Sequence, residues 1–245
     1  MLARLAGLSV LQQLANKESI ELVLPLLRDP EKPVQGRAWR LLRELTGQAL
    51  PQDQPDKWEQ WWATNKAAFL MADRTKAIAL NPKDGGAYHD RGCLRYNSHE
   101  FTDALVDFRK SCEFGSEVQD YSYYRVWLIR ARSGEKEAAT RELKRYLDNR
   151  KTGKPDDWAS KVGRFLAGQS TESDFLKAAG DTNARTDQEH RCEAYFYAGS
   201  KRLIEGDKTT AADYFKKCVA ADVRTFEEYQ SAEAELKFLS ASLIQ

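Results

Sequence analysis

The amino-acid sequence predicts an all-α fold arranged as a helical-repeat solenoid. Good helix formers dominate, and 7 Pro with 14 Gly in 245 residues are too few for the many turns of an all-β chain. With 42% hydrophobic residues, the chain can bury the core of one large or two ordinary domains. One pattern also recurs. Gly92, Ala104 and Phe108 have the same offsets as Gly199, Ala211 and Phe215, and Trp127, Ala139 and Leu143 repeat the spacing with a bulkier first residue.

From the N-terminus, Leu2 to Ala15 reads as a helix of the fold. Arg4 and a short apolar run look like a secretion signal, but Gln12 and Gln13 interrupt the run. Leu11 to Leu45 resembles a HEAT repeat. Its first helix carries Ile20, Val23, Leu24 and Leu27, Asp29-Pro30 make a turn, and its second helix carries Val34, Ala38, Leu41, Leu42 and Leu45. Thr46-Gly47 stops that helix, so residues 1–50 form the HEAT-like part. Residues 51–84 comprise a linker, Pro51 to Pro55, and a junction helix opened by Trp58, Trp61 and Trp62. With Trp39 these tryptophans should fill the misfit where a solenoid changes repeat type, Trp62 being the one expected at the surface.

Residues 85–245 contain the recurring pattern. A small residue facing an alanine on the next helix lets two antiparallel helices approach closely, and the Phe or Leu one turn on fills the space between them. That is the helix pair of a tetratricopeptide repeat (TPR), whose period is about 34 residues. Gly92 and Trp127 are 35 residues apart, and Gly199 lies 72 beyond Trp127, leaving room for one more unit centred on Gly163. Trp158 to Ala167 reads as the first helix of that unit, started by Pro155 and Asp156. Thr171 to Ala179 reads as its second, opened by a capping-box spacing from Thr171 to Asp174. Phe175 stands where a small residue belongs, so this repeat is degenerate and its helices must splay. Gly134-Glu135 and Gly206-Asp207 mark the turns within two pairs, and His99-Glu100 takes the place of that glycine in another. Phe226, Tyr229, Leu236, Leu239 and Leu243 form a C-terminal helix that should cap the last pair.

From about residue 85 to 239 the chain resembles the NlpI-type TPR adaptor lipoproteins of the Gram-negative envelope. The matching residues are Arg91-Gly92, Phe101, Ala104 and Asp107-Phe108, then Trp158, Phe165-Leu166 and Gly168. Further on come Glu193, Phe196-Tyr197, Gly199, Gly206-Asp207, Phe215 and Val219, and last Phe226, Glu228, Ala232 and Glu235-Leu236. The resemblance implies a noncatalytic scaffold of the bacterial periplasm or envelope that brings proteases and peptidoglycan hydrolases together, with a cytoplasmic protein as the alternative. The HEAT-like front and the lack of a lipid-attachment cysteine near Met1 depart from that pattern.

Several function classes are disfavoured. Lys and Arg number 38 against 37 Asp and Glu, and no basic stripe extends beyond Arg150, Lys151 and Lys154, so nucleic acid is not expected as a partner. No apolar run nears the roughly 20 residues that span a bilayer, so no transmembrane segment is expected. There is no HExxH, GxSxG, GxGxxG or Walker loop, and Thr152-Gly153-Lys154 lacks the upstream glycine that would wrap phosphates. No cofactor or metal is implied, because the four cysteines have no ligand-like spacing. Cys192 and Cys218 fall at opposite ends of antiparallel helices and should be neighbours, as a disulfide or as buried thiols. His89 and Cys93, one turn apart, are the minimum for a nucleophilic dyad or half of a metal site, but no third group recurs nearby. Asp156-Asp157 and Glu227-Glu228 read as solvated or helix-start charges.

The expected site is the concave TPR groove, lined by the first helix of each pair. Its residues are His89, Cys93, Tyr96 and Asn97, then Tyr121, Tyr124, Leu128 and Arg132, and Phe196 with Glu193 and Ser200. The Lys and Asn set with which chaperone-binding TPRs clamp a carboxylate is missing, since His89 and Cys93 occupy its first two places. A tyrosine-rich wall suits an extended peptide or a partner helix. The expected function is a noncatalytic protein–protein interaction scaffold, not an enzyme, that recruits protein or peptide partners. The alternatives are a structural homo-oligomer such as a homodimer, or an enzyme using the His89–Cys93 face.

Overall fold

A computed structural model describes residues 1–14, 17–151, 153–154 and 156–241. The chain is all-α: among the described residues every regular element is a helix. None of these helices is long and apolar enough to cross a membrane. Two compact units are present, Met1–Asp73 and Arg74–Gln245, and the division falls within one helix, α4 (Pro55–Leu80).

The first unit contains α1 (Leu2–Leu14), α2 (Ile20–Val23), α3 (Lys32–Thr46) and the N-terminal part of α4. The continuous helix expected through Ile20 and Leu27 is instead a single α-turn followed by a 3-10 helix at Leu24–Arg28. Pro25 causes the break, because it lacks an amide donor and its ring clashes with the preceding turn. Ile20, Val23, Leu24 and Leu27 nevertheless reach the core beside Val34, Ala38, Leu41 and Leu42. Gly47 ends α3 at φ 70°, with its amide on Arg43 O, as the Thr46-Gly47 stop requires.

The segment expected as a linker is pinned by two indoles, Trp39 Nε1 donating to Leu50 O (2.9 Å) and Trp58 Nε1 to Pro51 O (3.0 Å). Trp62 is buried, not exposed as expected: its ring packs near Trp61 and Phe69 and its Nε1 reaches Glu21 (3.3 Å). Trp61 is the more outward of the two.

Among the described residues, the second unit holds nine helices besides the end of α4. They are α5 (Gly85–Asn97), α6 (Phe101–Phe114), α7 (Gln119–Arg132), α8 (Lys136–Asp148), α9 (Trp158–Leu166), α10 (Glu172–Ala178), α11 (Ala184–Ile204), α12 (Lys208–Ala220) and α13 (Glu227–Ala241). The recurring offsets are contacts between antiparallel neighbours. A Cβ on Gly92 would lie 2.8 Å from the Phe108 ring, and one on Gly199 would meet Phe215 at the same distance, while Ala104 and Ala211 are fully buried. Trp127, whose Nε1 donates to Thr140 (3.0 Å), packs in the core with Ala139 and Leu143. Cys192 and Cys218 are free thiols with sulfurs 3.4 Å apart, confirming the expected proximity.

Helix ends follow the local signals. Asp84, Asp157, Thr171, Asn183 and Asp207 accept amide hydrogen bonds as N-caps, each worth about 1 kcal/mol. The turn between α5 and α6 places His99 at φ 60°, the role Gly134 (85°) and Gly206 (86°) play elsewhere. Pro155, expected as a start signal for α9, and Leu243, expected in the cap, lie outside the described residues. Phe175 of α10 stacks on Phe165 (4.3 Å) and Trp158 (5.4 Å) of α9. Gly163 admits Leu147 and Tyr124 rather than a residue of α10. His190 lies inside α11 and stacks on Trp158 (4.4 Å).

Two expectations follow for stability. Gly199→Ala should destabilise the fold by about 1 to 3 kcal/mol in chemical denaturation, because its Cβ overpacks the Phe215 ring. Gly7→Ala, where no atom lies within 4 Å, should instead stabilise by about 0.5 to 1 kcal/mol. Glu172 at the start of α10 accepts from Arg202 (2.8 and 2.9 Å) and Tyr214 (2.9 Å), and the Arg202 bonds hold its carboxyl below the usual range. Its contribution is full above the unfolded carboxyl pKa and is lost as pH falls through the lower folded value. Glu172→Gln should therefore remove part of the acid sensitivity, less than about 1 kcal/mol because the pair is partly exposed.

Candidate functional site

Four of the residues expected to line a groove, His89, Cys93, Asn97 and Arg132, converge, and what they meet is the last helix of the same chain. α13 presents Glu227, Glu228, Ser231, Glu235 and Phe238 along one face, as a helical repeat of three to four residues dictates. On α5, His89, Cys93 and Asn97 form the matching stripe. His89 Nε2 lies 2.7 Å from Glu227 Oε2, Cys93 Sγ donates to the same oxygen (3.1 Å), and Ser231 Oγ donates to Asn97 Oδ1 (2.7 Å). Farther along, Arg132 of α7 pairs with Glu235, and Phe238 stacks on His99 (4.1 Å). The contacts ascend together in both chain segments, so α13 runs parallel to α5.

This extends one expectation and corrects another. The cap on the last pair also reaches back to the first. And His89, Cys93, Tyr96, Tyr124, Leu128 and Phe196 are buried, with only Asn97, Tyr121 and Arg132 partly exposed, so this wall is not an open tyrosine-lined groove. Tyr124 faces α9, donating to Ala159 O (2.6 Å). Tyr96 lies beneath the guanidinium groups of Arg125 (4.9 Å) and Arg132 (5.4 Å), and burial pushes its hydroxyl up to about 12. Glu193 and Ser200 are also buried.

The charges on this wall are unusual for an interior. Arg125 is fully buried, none of its side-chain nitrogens has a hydrogen-bond partner, and it lies over Tyr96 and Phe196 (4.5 Å). Its anion is Glu228, 3.7 Å away, whose Oε1 also accepts from Tyr197 (2.9 Å). Burial and the Glu228 carboxylate push Glu193 well above the usual carboxyl range. Burial alone would lower the His89 imidazole and raise Glu227. Their mutual attraction outweighs both effects, raising His89 and holding Glu227 at about 2. Burial, with Glu227 beside it, keeps the Cys93 thiol well above its ordinary value.

Glu227 is the third group that local spacing around His89 and Cys93 did not supply. The three ligand atoms lie within 4.8 Å of one another, and Ser122 Oγ holds His89 Nδ1 at 2.7 Å. A thiol–imidazole–carboxylate triad would place acid and thiol on opposite ring nitrogens, whereas here both face Nε2 (Cys93 Sγ at 3.6 Å). Glu227 and Glu228, read as solvated or helix-start charges, do open α13, but they point inward because α13 is inserted. Arg125, absent from the expected site, is hidden in a helix whose residues 124–129 are buried throughout. No family model matches the chain.

The Arg125–Glu228 pair makes a measurable claim. Arg125→Met should destabilise by about 3 to 5 kcal/mol, since it leaves a buried carboxylate without its cation. Adding Glu228→Gln should restore more than half of that loss in a double-mutant cycle followed by urea denaturation.

Proposed function

We propose that this protein is a noncatalytic interaction scaffold, a HEAT-like front followed by a TPR-like solenoid, whose inner wall binds an acidic helical segment. The observation that carries the reading is that the wall already holds a helix. Cations Arg125, Arg132 and His89 meet Glu228, Glu235 and Glu227, aromatic rings lie under the guanidinium groups, and Asn97 adds a neutral polar contact. This is the helix-in-groove mode of recognition, in which spacing along one helical face sets specificity. α13 is on this reading an intramolecular occupant, and a protein partner presenting acidic residues seven apart competes with it.

The solenoid reading is supported by the shared Gly–Ala–Phe contacts of two helix pairs and the related Trp127 pair. Recruitment of envelope proteases or hydrolases rests on the sequence resemblance alone and forms the partner class of the proposal. A catalytic reading at His89 and Cys93 is disfavoured by both acid and thiol sharing one ring nitrogen.

The test uses the full-length chain and its Glu228→Gln/Glu235→Gln variant, probed with a fluorescent peptide of residues 224–241. The variant, with its own helix weakened, should bind the peptide at least about tenfold more tightly than the native chain, about 1.4 kcal/mol. A peptide with Gln at both acidic positions should not bind. A variant that remains helical by circular dichroism yet binds neither peptide sinks the proposal.

A further inference from the structure

We infer that His89, Cys93 and Glu227 form a binding site for a divalent cation of the zinc class, joining α5 to α13. The site needs α13 seated on the wall, as it is here, and does not require that any partner peptide ever take its place. Its donors are one imidazole nitrogen, one thiol sulfur and one carboxylate oxygen, the mixture that suits a borderline-soft cation such as Zn2+.

Geometry argues for the assignment. In a tetrahedral zinc site, metal–ligand lengths near 2.0 to 2.3 Å put ligand atoms roughly 3.3 to 3.5 Å apart. Cys93 Sγ and His89 Nε2 are 3.6 Å apart, so these two are already spaced to share one cation. Glu227 Oε2 lies 2.7 Å from the nitrogen and 3.1 Å from the sulfur, and must retreat by about half an ångström. It can do so, because its side chain is one-third exposed whereas His89 is buried.

The surroundings are built to support a ligating histidine. Ser122 Oγ lies 2.7 Å from His89 Nδ1 and is itself 2.7 Å from Ser111 Oγ. This fixes the ring with Nε2 toward the other donors, the outer-shell arrangement that orients metal-bound imidazoles. Binding releases the Cys93 thiol proton and the proton shared by His89 and Glu227 to solvent, leaving one thiolate, one neutral imidazole and one carboxylate on the cation.

Co2+ titration of the chelator-treated full-length protein tests the site. The expected result is one ion per chain, with a thiolate-to-cobalt charge-transfer band that Zn2+ abolishes. Cys93→Ser should remove the band, Glu227→Gln and Ser122→Ala should each weaken binding by at least about tenfold, and Cys192→Ser/Cys218→Ser should leave it unchanged. Glu227 is partly exposed, so its Gln variant carries the test if Cys93→Ser fails to fold. Added Zn2+ should raise the thermal midpoint of the native chain and not that of Glu227→Gln. The assignment is overturned if the native chain shows no charge-transfer band, if Glu227→Gln binds undiminished, or if the band depends on Cys192 and Cys218 instead.

Discussion

A guanidinium sealed from water must be matched by negative charge, and the inner wall of the larger unit is organised around that requirement. Arg125 lies fully buried on α7 over two aromatic rings that contact its face but cannot neutralise it. An uncompensated charge at such depth costs several kcal/mol, a large part of the roughly 5 to 15 kcal/mol that stabilises a domain. The acid is supplied by α13, which must therefore lie across the wall rather than only against the last helix pair. Once Glu228 is placed, the helical period brings Ser231 to Asn97 and Glu235 to Arg132.

Much of the larger unit was legible because its determinants are local or repeat. Glycine packed under a phenylalanine ring leaves a trace in sequence at a fixed offset, and a capping Asp or Thr sits beside the helix it starts. The turn at His99 could be read because its partners at Gly134 and Gly206 supplied the missing rule. The proximity of Cys192 and Cys218 followed from antiparallel pairing alone.

The candidate site was half legible, for a physical reason. Facing residues on α5 and α7 could be chosen from helical periodicity, and they do share a surface. What that surface meets depends on residues more than a hundred positions away, for which no local signal exists. Glu227-Glu228 at a helix start looks the same in sequence whether it is solvated or inserted. Arg125 could have been found from one clue: it stands within a stretch, Tyr124 to Ile129, whose other members are all apolar or aromatic, so it has no polar face to occupy. In the first unit the apolar spacing runs unbroken past Pro25, and only the missing amide marks where the helix stops.

The seating of α13 also sets an order of events along the chain. Its contacts join residues 134 and 138 positions apart, among the longest loops the fold closes, whereas the helix pairs close between sequence neighbours. Closing a long loop is entropically costly, and that cost is repaid only after the intervening pairs have shortened the path. A chain emerging from the ribosome exposes α5 through α12 before α13. During that interval the cationic wall lacks the acids of α13, so the growing polypeptide displays a surface that the finished molecule conceals.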